Sequence, residues 1–240
     1  ELGADIFLRH LLDGDPASNT LGWRWVAGLQ TKGKTYLARS SNITKFTEGR
    51  FSGTHGLAAE APALYGPPHP TRQAPPAAVD WAPLPATGVL VTEEDLSPAW
   101  LLPPGITPVG VAGLLATEGR SPLAVSPLVT DFARSALVDA LDRHGDKFGP
   151  RGPVTDDVTA IATWAREAGL AQVVTPYAPV GPTAAKLAKL DKLLRDDGID
   201  LIRPIRDFDL AAWPYATAGF FKFKEKIPTL AGQIKGLHAA

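Results

Sequence analysis

The stretch that decides the fold runs from Gln172-Val173-Val174-Thr175 to Asp200-Leu201-Ile202-Arg203. Both ends are short apolar segments of the kind that forms buried strands. The residues between them show helical spacing over 183–197, with lysines opposite an apolar face, and Gly198 ends the pattern. That apolar face consists of Leu187, Leu190, Leu193 and Leu194. The stretch therefore predicts a strand–helix–strand unit in which the two strands are parallel.

The same alternation of strand and helix extends towards the amino terminus. Short apolar segments at 88–91 and 107–111 have the character of buried strands, and helical periodicity covers 128–143 and 155–168. Strands separated by helices favour right-handed crossovers and a sheet with helices on both faces. We therefore expect residues 87–240 to form a doubly wound, mostly parallel α/β domain of the Rossmann-like type.

A proline-rich segment precedes this domain. Eight prolines lie between Pro62 and Pro85, where they exclude helix interiors and central strands. We interpret 53–86 as a linker between the α/β domain and a helical segment over 1–52, so that the fold class is α plus α/β. Within the helical segment, apolar spacing predicts helices over 5–12, from a cap at Ser18 or Asn19 to Gly33, and over 36–46.

Composition narrows the functional classes. The 240 residues are 45% hydrophobic and carry a formal net charge of −1, so the global charge does not predict binding to nucleic acid or anionic membranes. The chain has no cysteine and five scattered histidines, so we predict no metal site and a reducing, cytoplasmic location. No apolar run reaches about 18 residues, and we expect no membrane partner. Because methionine is absent and the chain opens on a helical pattern, we expect a longer parent protein.

A dense polar and aromatic cluster lies in the helical segment. It consists of Asp13, Gly14, Asp15, Asn19, Trp23 and Trp25. Two carboxylates and an amide at this spacing can hold a cation, a ribose or the N–H edge of a heterocycle. The same residue types also cap helices and form turns, and tryptophans are common in cores. Residue chemistry alone leaves both interpretations open.

The spacing of the cluster, D-G-D-x-A-S-N-x-x-x-W-x-W-x-x-G from Asp13 to Gly28, resembles the flavin-binding signature of the DNA photolyase and cryptochrome family. The match continues through Arg39, Asn42, Lys45-Phe46 and Gly49 to Phe51. The resemblance implies that 1–52 is the carboxy-terminal part of a helical FAD-binding domain. Residues 160–228 more weakly resemble the α/β domain of the family, which precedes the helical domain there and follows it here.

The resemblance gives the cluster a role in binding FAD. Asp13 and Asp15, with Gly14 between them, match the acids beside the flavin. Asn19 matches the residue that faces flavin N5, where an amide can donate or accept a hydrogen bond without carrying a full charge. Trp23 matches the tryptophan that passes an electron to the excited flavin.

The resemblance also implies a substrate and an activity. Trp25 matches a tryptophan that stacks on a flipped pyrimidine dimer, and Asn42 lies in the part of the motif that contacts DNA. The implied enzyme is a deoxyribodipyrimidine photo-lyase, a carbon–carbon lyase in which light drives electron transfer from reduced FAD to split the dimer. We expect a monomer whose partner is damaged DNA, with an antenna chromophore of unknown type. The alternatives are a cryptochrome-like photoreceptor without repair activity and a flavin-free α/β scaffold.

Two charged segments permit more local interpretations. The acidic residues at 93–95 follow the first predicted strand, where carboxylates can cap a helix and interact with its dipole. Lysines and phenylalanines alternate over 221–226. They could contact a phosphate backbone or form a solvated lysine face over a buried aromatic edge, and we favour the second interpretation.

Overall fold

The computed structural model describes residues 9–10, 39–52, 56–57, 68, 71–217 and 220–233. The chain divides into two compact units. One comprises Glu1–Thr71 with Ser121–Ser126, and the other comprises Arg72–Arg120 with Pro127–Ala240. The first unit contains helix α1, Ser40–Phe46, and the second contains the sheet. Within the predicted linker, residues 71–84 are described and contain no helix or strand.

Helix α1 begins four residues later than the sequence predicts. Arg39 has an extended backbone, with φ −112° and ψ 143°, so the helix starts at Ser40. Beyond its end, Gly49 has a φ of 78°, and its N–H donates to the carbonyl of Thr44 at 2.8 Å. The glycine permits this left-handed conformation at low cost and prevents the helix from continuing, as predicted.

Five parallel strands form the sheet of the second unit. They are β1 (Thr87–Thr92), β2 (Gly110–Leu114), β3 (Arg151–Thr155), β4 (Gln172–Val174) and β5 (Asp200–Ile202). Their order is β3-β2-β1-β4-β5, and every neighbouring pair is parallel. The register places Val89 beside Val111 on one side and beside Val174 on the other. The predicted parallel α/β class is confirmed for this unit.

Three long helices connect these strands. They are α2 (Pro127–His144), α3 (Val158–Glu167) and α4 (Pro182–Asp196), and each lies within three residues of its predicted bounds. Three short helices follow β5, namely α5 (Asp207–Ala212), α6 (Phe220–Lys224) and α7 (Ile227–Gly232). Helix α3 begins at an Asp157 cap, whose carboxylate accepts the N–H of Thr159 at 2.8 Å.

The alternation of side chains along β1 supplies two cores. Leu90 packs with apolar residues of α3 and α4 in one cluster. Val89 and Val91 pack with residues of α2, including Leu137, in the other. Because successive side chains of a strand point to opposite faces, one strand can bury residues in both layers. Burying each such side chain contributes about 1.5–3 kcal/mol relative to exposure.

Two parts of the strand prediction are wrong. Strand β2 begins at Gly110 rather than at 107, because Pro108 has no N–H to donate to the ladder. Strand β3 was not predicted at all. It contains Gly152 and Pro153, which read as turn residues, but it lies at the sheet edge, where proline is tolerated, and its pairing with β2 is irregular.

Trp164 of α3 fixes the packing at the amino ends of three strands. A Cβ on Gly152 would lie 2.5 Å from Nε1 of this indole, and Cβ atoms on Gly88 and Gly110 would lie 3.0 and 3.4 Å from its ring. The ring therefore lies directly on the backbone of β1, β2 and β3. Glycine is required at Gly152 because a rigid indole leaves no room for a side chain.

The prediction of a buried aromatic edge over 221–226 is wrong. Phe221 is 81% exposed and the neighbouring Phe220 is 63% exposed. Most of the segment lies in the short helix α6, Phe220–Lys224, so Phe221 and Phe223 point in different directions instead of sharing one buried edge. Phe223 is half-buried and lines the cavity described below.

Candidate functional site

A cavity of about 460 Å³ lies at the carboxyl ends of the strands. Its walls come from the segments that follow β1, β4 and β5, together with α5 and α6. The winding of the chain reverses between β1 and β4, which is the position where open α/β sheets form a crevice beyond the carboxyl ends of their strands. The fold itself therefore produces this concave surface.

Backbone pairing between β4 and β5 continues past both strands and shapes the floor of the cavity. The N–H of Thr175 donates to the carbonyl of Ile202 at 2.9 Å, and the N–H of Tyr177 donates to the carbonyl of Pro204 at 2.8 Å. Prolines in these two segments lack an N–H, so each can present its ring to the cavity without leaving a donor unsatisfied. They include Pro176, Pro179 and Pro204.

An ion pair between Asp95 and Arg206 forms the polar part of the wall. Nη2 of Arg206 donates to both carboxylate oxygens, at 2.6 and 2.7 Å, while Nε donates to Oδ2 at 3.0 Å. The carboxylate also accepts the N–H of Ser97 at 3.0 Å and Nε1 of Trp100 at 3.2 Å. With four different donor groups and 17% exposure, Asp95 is held in one orientation.

The guanidinium of Arg206 also stacks on an aromatic ring. Its Cζ lies 4.9 Å from the centre of the Trp100 ring, and Nη2 donates to the carbonyl of Ser97 at 3.0 Å. A planar cation over an indole face gains a favourable electrostatic interaction. Arg206 therefore joins the segment after β5 to the segment after β1, and both sides of the cavity are fixed by one side chain.

Aromatic side chains provide most of the remaining wall. The rings of Tyr177 and Trp213 are 6.2 Å apart and tilted by 59°. Phe208 is 43% exposed, and Phe223 approaches from α6. Arg72 donates from Nη2 to the carbonyl of Ala216, at the end of the short helix that carries Trp213. These rings leave flat apolar faces open to the cavity.

The cavity has the properties of a binding site for a small planar molecule. Its volume lies within the usual range of about 300–1,000 Å³ for ligand pockets. The charges of Asp95 and Arg206 neutralise each other, while Asp209 adds one further carboxylate to the lining, so recognition would depend on stacking and shape together with this acid. Among the described residues, no three His, Cys, Asp or Glu side chains are grouped so that they could hold a metal ion.

The structure describes only one of the predicted flavin and DNA residues. Asp13, Gly14, Asp15, Asn19, Trp23 and Trp25 lie outside the described residues. Asn42 is described, and it is exposed on α1. The roles of all seven residues remain predictions from the sequence.

The prediction that the acids at 93–95 cap a helix is wrong. The short helix after β1 is a 3-10 helix, Pro98–Leu101, which has no side-chain cap. Asp95 instead binds Arg206, and Glu93 accepts a hydrogen bond from the hydroxyl of Thr117. The acids lie at the carboxyl end of the sheet, where side chains from the segments after β2 and β5 bind two of them.

Sequence reasoning also missed the cavity residues Trp100, Tyr177, Arg206 and Trp213. A usable signal is present, because polar and aromatic residues directly follow three predicted strands, at 93–95, 176–177 and 203–206. Carboxyl ends of parallel strands meet at one edge of the sheet, so these segments can be grouped from the predicted strands alone.

Comparisons with known proteins do not assign the chain to a family. It matches no family model, no curated protein and no solved structure. In the part of the chain that the structure describes, no helix is long and apolar enough to cross a membrane. The candidate site therefore rests on the sequence signature and on the geometry of the cavity.

Proposed function

We propose that the protein is a flavin-dependent DNA photolyase, in which light-driven electron transfer from reduced FAD splits cyclobutane pyrimidine dimers. The observation that carries the proposal is the sequence signature from Asp13 to Phe51, which agrees with the photolyase and cryptochrome family at many fixed positions. A parallel α/β unit on the same chain supports it, because the resemblance implies such a domain beside the helical one.

The strand order supports a Rossmann-like classification of the α/β unit. In the order β3-β2-β1-β4-β5, the chain winds outward from β1 in one direction and then from β4 in the other. The common dinucleotide-binding order 3-2-1-4-5-6 has the same reversal between its first and fourth strands. We propose that the photolyase-like α/β domain follows the helical segment in this protein, whereas it precedes the helical domain in the family.

The residues proposed to hold FAD are Asp13, Gly14, Asp15 and Asn19. When bound, FAD would supply a chromophore that donates an electron after absorbing light. Acidic side chains would hold its ribityl edge, and the amide of Asn19 would face N5 without imposing a charge. Trp23 would relay electrons, while Trp25 would stack on the flipped dimer. Exposure of Asn42 leaves its amide accessible to DNA.

The cavity at the carboxyl ends of the strands suits the antenna chromophore that the resemblance implies. A planar aromatic molecule of up to about 460 Å³ could stack on a face that rings such as Trp213 present to the cavity. The Asp95–Arg206 pair would define one wall. Nothing in the lining selects one chemical type of chromophore, so the proposal names only a planar aromatic ligand.

The proposal is tested with the purified intact protein and an oligonucleotide that contains one thymine dimer. We expect flavin absorbance after denaturation, and loss of the dimer under blue light but not in the dark. Trp25→Ala should lower the repair rate about tenfold by removing a stacking partner, while the flavin is retained. Trp23→Phe should slow photoreduction of the flavin.

Trp81→Phe is the matched control, because this tryptophan packs against the sheet of the α/β unit. It should leave both repair and photoreduction unchanged. Protein without flavin would contradict the proposal and favour a flavin-free scaffold. Bound flavin with normal photoreduction but no repair would contradict it in favour of a photoreceptor.

A further inference from the structure

A surface of exposed phenylalanines and lysines lies on α6 and the turn that follows it. We define this lysine–phenylalanine surface as Phe220, Phe221, Lys222, Lys224 and Lys226. All five side chains are exposed, and Phe221 is among the most exposed large apolar residues of the described chain. Exposed phenyl rings are unfavourable in water, so their clustering with cations indicates an interaction surface.

Helix geometry places the Phe221 part of this surface opposite the cavity. Phe223 faces the cavity, and each residue of a helix is rotated by about 100° from the previous one. Phe221 therefore points about 160° away from Phe223, while Lys222 and Lys224 project from the two sides. The result is one phenyl ring on the outer face with an ammonium group on each side of it. Phe220 lies about 60° from Phe223 by the same rotation, so it is Phe221 and the two lysines of α6 that point away from the candidate ligand site.

The rings and charges of the surface are arranged for two kinds of contact. The Phe220 and Phe221 rings are 5.8 Å apart in an edge-to-face arrangement, so each keeps an open face. Lys226 lies 5.7 Å from the centre of the Tyr215 ring. Glu225 is the one acid between residues 220 and 226, so the segment is net positive. Open rings can stack on bases, and ammonium groups can contact phosphates.

We propose that the lysine–phenylalanine surface binds single-stranded nucleic acid. Bases in a duplex are stacked on each other and offer no faces to Phe220 or Phe221, whereas an unpaired strand presents bases and phosphates together. A membrane is a poorer match, because interfacial helices bury a long apolar face and α6 has five residues. Charge complementarity and exposed rings together favour the single strand.

The test measures binding of the full chain to a labelled, undamaged 20-nucleotide poly-dT strand in the dark, at several salt concentrations. Phe221→Ala should raise the Kd about five- to tenfold by removing one stacking platform. The double variant Lys222→Gln, Lys224→Gln should reduce the slope of log K against log salt by about 1.4, because each phosphate contact on a single strand contributes about 0.7.

Matched controls distinguish this surface from general effects of charge and apolar exposure. Phe132→Ala removes an exposed phenyl ring on α2, and Lys189→Gln with Lys192→Gln removes two exposed lysines on α4. Both should bind as the unaltered chain does. Circular dichroism should show that every variant is folded, since all the altered side chains are exposed.

Three results would overturn the proposal. They are an unchanged Kd and salt slope in the surface variants, equal losses in the controls, and binding to phosphatidylserine vesicles without binding to poly-dT. The outcome is independent of the proposed photolyase activity, because the strand carries no dimer and the assay uses no light. Binding to poly-dT without dimer repair would support this proposal and not the photolyase activity. Dimer repair with an unchanged Kd in the surface variants would support the photolyase activity and not this proposal.

Discussion

Tryptophans lie at both ends of the same sheet, but in different surroundings. At the amino ends of the strands, Trp164 packs directly on the backbone at Gly88, Gly110 and Gly152. At the carboxyl ends, Trp100 and Trp213 border a cavity; like Trp164 they are partly buried, so the difference lies in what their rings contact. At the amino ends an indole covers the backbone of the strands, whereas at the carboxyl ends indoles line a cavity.

This difference separates stability from binding. An indole packed on glycines fills space that water would otherwise occupy, so its removal costs stability. An indole beside a cavity leaves a flat face for a ligand, at the expense of apolar burial in the folded protein. We therefore expect substitutions of the indole and its glycines at the amino ends to lower the free energy of unfolding, and substitutions of the cavity rings at the carboxyl ends to lower ligand retention instead.

The largest effect on stability is expected for Trp164→Ala. The substitution removes a large ring that packs against the core cluster of α3 and α4 and leaves a cavity above three strands. The free energy of unfolding should fall by about 3 kcal/mol, measured by urea denaturation followed by circular dichroism. A decrease below about 1 kcal/mol would show that the ring is not the main packing element there.

The next largest effect is expected for Gly152→Ala. The new methyl group would overlap the Trp164 indole, and the free energy of unfolding should fall by about 2 kcal/mol. In a Trp164→Ala background the same substitution should cost less than about 0.5 kcal/mol, since the opposing ring is gone. Gly232→Ala is the control, because a Cβ there meets nothing within 4 Å and should not destabilise the chain. Equal costs in both backgrounds would contradict the packing account.

A moderate effect is expected for Asp95→Ala. The substitution removes the carboxylate that accepts hydrogen bonds from Arg206, Trp100 and Ser97. The free energy of unfolding should fall by about 1–2 kcal/mol, since the guanidinium remains half-covered without its partner. Asp139→Ala breaks an exposed ion pair with Arg143 and should cost less than about 0.5 kcal/mol. Similar decreases in the free energy of unfolding for the two variants would show that the Asp95 ion pair is no more stabilising than an exposed one.

The smallest effect on stability is expected for Phe208→Ala at the cavity. This ring is partly exposed, so its removal should change the free energy of unfolding by less than about 1 kcal/mol. Urea denaturation of the Phe208→Ala and Gly152→Ala variants under the same conditions compares their free energies of unfolding. A loss larger than that of Gly152→Ala would place the stabilising contacts at the carboxyl end instead.

The sequence predicted those parts of the fold that depend on local pattern. The apolar run of β1 and the leucine face of α4 are strong periodic signals, and both elements lie where they were expected. Strand β3 could not be found in the same way, because Gly152 and Pro153 are determined by the Trp164 ring and the sheet edge. The strand that pairs with it, β2, is distant in sequence, so no local window shows that this segment lies at a sheet edge.

The candidate sites were predictable to different degrees. The flavin signature is continuous in sequence, so the spacing of its residues alone is enough for a comparison with a known family. The cavity is assembled from segments more than 100 residues apart, such as Asp95 and Arg206. Taken alone in the sequence, each of these charged residues would be interpreted as an ordinary surface residue. The predicted strands place these segments at one edge of the sheet, but which segments are neighbours depends on strand order, which the sequence did not specify.

The most direct test of the contrast between the two ends is to identify what the cavity holds. The purified protein is denatured, and released small molecules are separated by chromatography with absorbance and mass detection. We predict a planar aromatic compound besides flavin, with about fivefold less from Phe208→Ala and unchanged amounts from Phe132→Ala. No such compound, or equal amounts from the Phe208→Ala and unaltered proteins, would contradict the assignment of the carboxyl end of the sheet as a binding site.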